Sequence, residues 1–125
     1  KEPGTQVQAP RQVRGRVTLV ENETVQTGAP FDGGMMSRIV RSRNSALRAC
    51  YERELRTASA PFEGRIVLGL TVTPAGSVIG VHLVSNGTGN TNTAMCTQRV
   101  VQGFRFNPGP EGEAHFTLTL EFHPE

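Results

Sequence analysis

Residues 64–84 read GRIVLGLTVTPAGSVIGVHLV, and how this stretch folds decides the architecture. Ile66, Leu68, Leu70 and Val72 fall on every second position, with Val67, Gly69 and Thr71 between them. A period of two belongs to a strand that buries one face. Thr73-Pro74-Ala75-Gly76-Ser77 supplies a turn, with proline suited to its second position and glycine to one that needs positive φ. Val78 to Val84 resumes the strand composition, so the stretch is expected to be an antiparallel hairpin.

Upstream, the period changes. Met36, Val40, Leu47, Tyr51 and Leu55 are four, seven, four and four residues apart, the stripe of one helix running from Met35 to about Arg56. Ile39, Ala46 and Cys50 widen the stripe, and the arginines lie mostly off it. Asp32 offers the N-cap, and Glu52 and Arg56 stand at i,i+4 spacing. Further upstream, Val13, Gly15, Val17 and Leu19 alternate with Arg14, Arg16 and Thr18, a strand that Glu21-Asn22-Glu23 could turn into a second, Thr24 to Thr27. Residues 13–30 are thus an N-terminal strand or hairpin. Residues 1–12, rich in Pro, Gln and Gly, read as a linker or disordered tail.

Downstream, residues 85–90 are loop. Asn92 or Thr93 then caps a second helix, whose apolar stripe is Cys96, Val100 and Phe104. A proline-locked loop, 106–110, leads to the last strand. There Phe116, Leu118, Leu120 and Phe122 face inward, and His115, Thr117, Thr119, Glu121 and His123 face outward, with Ala114 at its start. The order β(β)–α–β–β–α–β predicts an α+β fold with helices on one face of an antiparallel or mixed sheet.

Length and composition narrow the function. The chain has 125 residues, one domain's worth, with 13 Lys+Arg against 11 Asp+Glu, a net charge of +2. That balance is too weakly basic to make nucleic acid the first expectation. Its distribution is uneven: six Arg and two Glu lie between Arg38 and Arg56, whereas four Glu and no base follow Phe106. Such polarity can orient an encounter with a partner. No apolar run is long enough to cross a membrane as a helix. Lys1 in first place is expected of a processed or excised piece.

Little in the sequence points to chemistry. His115 and His123 stand eight residues apart on one strand. That is more than ~25 Å at about 3.3 Å per residue, too far to share an ion. There is no nucleophile elbow, no phosphate loop and no dinucleotide fingerprint. No catalytic residue, metal site or cofactor is expected, and the protein is read as a non-enzyme.

Cys50 and Cys96 are the two cysteines, each assigned to the apolar stripe of its helix. This placement favours a disulfide over two buried free thiols. A bridge closing that loop is worth at most about 4 kcal/mol in the loop-entropy model, and it implies an oxidising compartment. The last strand, terminal and strongly patterned, is read as a sheet edge. Its free backbone, Ala114 to Phe122, could take an extended partner segment.

Several stretches together resemble the C-terminal domain of the AgmX/PglI family, a TonB-like module of myxobacterial gliding-motility and related envelope proteins. They are Phe31-Asp32, Ile39-Val40-Arg41, Leu47-Arg48-Ala49-Cys50-Tyr51-Glu52 and Glu63-Gly64-Arg65-Ile66-Val67-Leu68. Pro74-Ala75-Gly76-Ser77-Val78, Val84-Ser85, Cys96, Phe104-Arg105-Phe106-Asn107-Pro108 and Glu121-Phe122-His123-Pro124 continue the series, which covers residues 31–125.

The resemblance implies a TonB C-terminal-like fold, two helices on a three-stranded antiparallel sheet, here with an extra N-terminal strand or hairpin. It implies a periplasmic location at the end of an inner-membrane-anchored protein. The module would couple an inner-membrane motor, reached through the upstream chain, to an outer-membrane or periplasmic partner bound as an extended peptide. The family's paired cysteines map onto Cys50 and Cys96, and its partner-pairing strand onto Ala114–Phe122. Phe104 stands where the family often has Trp, and Ala75 where it usually has Asp. No nucleic acid and no membrane insertion by this fragment are expected. The alternative reading is a nucleic-acid-binding α+β domain using the Arg-rich helix, which predicts affinity falling steeply with salt.

Overall fold

The 64–84 stretch forms a hairpin of two nine-residue strands, Gly64–Val72 (β3) and Val78–Asn86 (β4), in a computed structural model that describes residues 13–125. The expected linker, residues 1–12, lies outside the described residues. The turn closes through the Gly76 N–H donating to the Thr73 carbonyl at 2.8 Å, with Gly76 at φ 86°. Pro74 at the second position and Gly76 at positive φ are as expected, and the Thr73 N–H donating to the Ser77 carbonyl at 2.9 Å leaves a three-residue loop between them.

Among the described residues five strands and three helices make up the α+β fold. Gly15–Leu19 (β1), Val25–Gly28 (β2) and Ala114–Pro124 (β5) complete the sheet, in the order β1-β5-β3-β4 with every pairing antiparallel. β2 also pairs with β5, in line with β1, so the two do not form a hairpin with each other. Between them Glu21–Glu23 forms a single 3-10 turn instead of reversing the chain. Residues 15–28 therefore run once along β5 as one strand broken in the middle.

The expected single helix is two. Gly33–Ser42 (α1) and Asn44–Thr57 (α2) meet at Arg43, whose φ of −105° and ψ of 16° leave the helical region. Ser42, Asn44 and Ser45 compete for backbone partners and weaken the helix there. Ser42 Oγ donates to the Ile39 carbonyl, and Asn44 Nδ2 reaches out to the Val17 carbonyl of β1 at 2.9 Å. The break thus ties the helix layer to the first strand. Asp32 caps α1 as expected, its Oδ1 accepting the Gly34 N–H at 2.9 Å. The Arg38 guanidinium, then the Gly34 N–H, hold its carboxyl below the usual carboxylate range.

The third helix, Thr91–Gln102 (α3), is capped by Asn90 and not by Asn92 or Thr93: Asn90 Oδ1 accepts the Thr93 N–H at 2.7 Å. The helix therefore starts two to three residues earlier than expected. Thr93, Ala94, Thr97 and Val101 are buried, while Cys96 and Val100 are only partly covered at the flank facing α2.

All helices lie on one face of the sheet. Met36, Val40, Leu47, Tyr51 and Leu55 are buried against Ile66, Leu68, Leu70 and Val72 and against Phe116, Leu118, Leu120 and Phe122. Phe31, Phe106 and Phe116 meet with centroids 5.4–6.2 Å apart, and Tyr51 lies edge-on to Phe62 and Phe122. Among the described residues no layer covers the opposite face of the sheet. Among the described residues no helix is long and apolar enough to cross a membrane.

Candidate interaction site

Strand addition needs a sheet edge with unpaired backbone, and the last strand has none. β5 is central, paired with β3 on one side along Ala114–Phe122 and with β1 and β2 on the other. The expected edge at Ala114, His115, Phe116, Thr117, Leu118, Thr119, Leu120, Glu121 and Phe122 is therefore corrected. A terminal strand in sequence became the middle of the sheet because the N-terminal segment folds back along it.

The seal also holds opposite the 3-10 turn. The Val20 N–H donates to the Thr119 carbonyl at 2.9 Å, and the Thr119 N–H donates to Thr24 Oγ1 at 3.3 Å. Thr119 Oγ1 donates to the Glu23 carbonyl at 3.2 Å, so Thr119 is buried although its side chain belongs to the outward set. Arg65 on β3 closes the arrangement from above by pairing with Glu23 and, at 3.6 Å, with Glu121. The hydrogen bond that Arg65 donates to the Glu23 carboxylate is the main cause holding the Arg65 pKa above its ordinary value.

Among the described residues the sheet ends on β1 and β2 at one side and, at the other, on β4, which pairs with β3 alone. Its register skips Gly80 and Val84, so two bulges interrupt it. Gly80 sits at φ 73°, a left-handed conformation suited to glycine at a bulge. Bulges are a known protection for edge strands. A second protection comes from α3: Gln98 Nε2 donates to the Val81 carbonyl at 2.8 Å and Gln102 Nε2 to the Val78 carbonyl at 3.1 Å. These amides cover acceptors in the first half of β4. Among the described residues no such amide reaches Leu83–Ser85.

The side chains along this edge are apolar and exposed. Ile79 is 48% exposed, Leu83 42% and Val84 54%, and on α3 Met95 is 49% exposed. Met95, Gln98, Arg99 and Gln102 line a shallow groove of about 280 Å³ on α3. Pairing with Leu68 turns Leu83 toward the helix side, whereas Ile79 and His82 share the outer face with Thr71 and Gly69. A strand laid along β4 would thus meet apolar contacts on both of its faces. Nothing in the alternation of 78–84 distinguishes this edge from a covered strand. The available signal was Gly80, since a lone glycine inside a strand pattern points to a bulge.

Cys50 and Cys96 form a disulfide, with Sγ–Sγ 2.00 Å and Cα–Cα 5.5 Å, and it joins α2 to α3. It pins the helix that flanks β4 to the helix that anchors β1. The three histidines are not brought together into a ligand set, and among the described residues no three His, Cys, Asp or Glu converge. The Arg-rich helices are partly neutralised: Arg38 pairs with Asp32, Arg48 with Glu52 and Arg53 with Glu54, at 2.8, 3.8 and 3.9 Å. The expected Glu52–Arg56 pair is replaced by the Arg48 contact, because the Glu52 carboxylate turns toward the Gly15 N–H.

No family model matches the chain, and neither a curated protein nor a solved structure matches it.

Proposed function

We propose that this domain is a non-enzymatic periplasmic interaction module of a TonB-like energy-transducing or gliding-motility complex. In this reading it couples an inner-membrane motor to an outer-membrane partner, and an extended segment of that partner adds to β4. The observation that carries the reading is the edge of β4, unpaired among the described residues, with Ile79, Leu83 and Val84 exposed on it. Backbone pairing gives such a site its affinity, and the alternate side chains give it selectivity.

Two further points support the proposal. The Cys50–Cys96 bridge suits an oxidising compartment. The ordered resemblance from Phe31-Asp32 through Glu121-Phe122-His123-Pro124 to an envelope family supplies the cellular context. The nucleic-acid alternative draws less support, since half of the α1–α2 arginines are paired with carboxylates and the phenylalanine rings pack into or against the core.

Site-specific photo-crosslinking of the full-length protein in cells tests this. A crosslinker replacing Val84 is expected to trap a periplasmic or outer-membrane protein, and one replacing Thr117 to trap none. Adducts confined to cytoplasmic proteins or nucleic acid, or none from position 84, would overturn the proposal.

A further inference from the structure

We infer that a cavity between β2 and α1, on the side of the sheet away from β4, binds a primary alkylammonium group, as carried by a lysyl side chain or a free aliphatic amine. The cavity has a volume of about 130 Å³. One of about 150 Å³ admits benzene, so this one takes roughly six non-hydrogen atoms. Buried Met36 and Phe116, with half-buried Phe31, line its inner side, and exposed Glu21, Gln26 and Asp32 line its outer side. The alternation on β2 is inverted here. Gln26 stands opposite Phe116, and cross-strand partners share a face, so Gln26 takes a place on the helix side where an apolar residue would be expected. Val25, opposite Thr117 on the outer face, is 54% exposed. Departures of this kind concentrate at functional sites.

The hydrogen bonds around the cavity select the ligand. Gln26 Nε2 donates to the Thr27 and Ala29 carbonyls, each at 2.7 Å, so both hydrogens of the amide are taken and Oε1 is left as an acceptor. The Thr24 hydroxyl, also in the lining, donates to the Val20 carbonyl at 2.9 Å. Asp32 is already engaged by the Gly34 N–H and by Arg38. Among the described residues Glu21 meets no cation. These side chains therefore offer acceptors and a carboxylate over an apolar floor, with their own donors used. An anion gains nothing there. An alkylammonium brings N–H donors, a positive charge and an apolar stem, the complement of each part.

The test is titration of the disulfide-bonded chain with n-pentylammonium, n-pentanol and N-acetyl-lysinamide, mapped by backbone amide shifts. n-Pentylammonium is expected to shift residues 21–27 and Met36. It should bind about tenfold more tightly than the neutral alcohol of equal size, as one charge-assisted hydrogen bond allows. Glu21→Gln, at an exposed position, should abolish that preference while the urea midpoint stays unchanged. N-acetyl-lysinamide binding at the same residues would assign the ligand to a lysyl side chain, and its exclusion while n-pentylammonium binds would assign it to a free amine.

Equal binding of alcohol and amine, or a preference that survives Glu21→Gln, would overturn the ammonium assignment. Shifts from all three probes confined to other residues, or none at all, would overturn the site. Neither result bears on strand addition at β4, which these probes do not measure.

Discussion

The Gly15 N–H donates to the Glu52 carboxylate at 2.8 Å, joining the first residue of β1 to the middle of α2. The segment that seals β5 is thereby anchored to the helix layer at its start, while Asn44 holds it two residues on, through the Val17 carbonyl. Gly15 also lies so close to the ring of Tyr51 that an added Cβ would stand 2.4 Å from Cδ2.

Gly15→Ala is accordingly expected to destabilise the domain by about 1–3 kcal/mol, the usual cost of overpacking. Tyr51 is fully buried between Phe62 and Phe122 and has no room to yield. Urea denaturation measures this, and an unchanged midpoint would show that β1 is not packed as described. Glu52→Gln should cost less, about 1 kcal/mol, since an acceptor for the amide remains.

Removing the disulfide tests the packing of α2 on α3. The bridge closes a separation of 46 residues. The Cys50→Ser, Cys96→Ser double variant, or reduction of the native domain, should lower stability by about 4 kcal/mol in the loop-entropy model. The native domain should take up no alkylating label until it is reduced. Labelling without reductant would contradict the bridge.

Tyr51 is the single tyrosine and the chain lacks tryptophan, so tyrosinate absorbance reports this residue alone. Burial, with a smaller contribution from Glu63, pushes its hydroxyl from 10.0 up to about 12. That hydroxyl donates to the Phe62 carbonyl. The unfolded chain loses this proton at lower pH than the folded one. Stability from the neutral hydroxyl is thus whole below pH 10 and is lost as pH rises toward about 12. A native titration midpoint near 10 would contradict the burial of Tyr51.

Gln98 and Gln102 are expected to guard the open edge. Replacing both with Ala frees the Val81 and Val78 carbonyls without emptying the core, so stability should change by no more than about 0.5 kcal/mol per site. Binding of an extended peptide should strengthen, because the strand no longer competes with the two amides. Weaker binding with an intact fold would mean that the glutamines contact the partner directly.

The hairpin, the helical stripe and the inward face of the last strand were legible because alternation and the near-fourfold repeat depend on burial alone. Ile66, Leu68, Leu70 and Val72 on one side of the core, and Leu47, Tyr51 and Leu55 on the other, are all buried. Position within the sheet is a different matter. Which strand lies at the edge depends on where residues 15–28 settle, and that is fixed by long-range pairs such as Val17 with Phe122 and Thr27 with His115. The break at Arg43 likewise depends on a partner 27 positions away, Val17, that receives the Asn44 amide. The cysteine pair was readable, since each residue sat on or beside a buried stripe. The buried face of α3 was not, because Thr93 and Thr97 hold two of its positions and do not read as apolar.

Amide hydrogen exchange of the intact domain with and without a bound extended partner peptide tests the central claim most directly. The account predicts new protection at β4, strongest over Leu83–Asn86, with β1, β2 and Ala114–Phe122 unchanged. Loss of protection across Gly15–Gly28 together with altered exchange at Ala114–Phe122 would mean that the partner displaces the N-terminal segment and pairs with β5, and would contradict it.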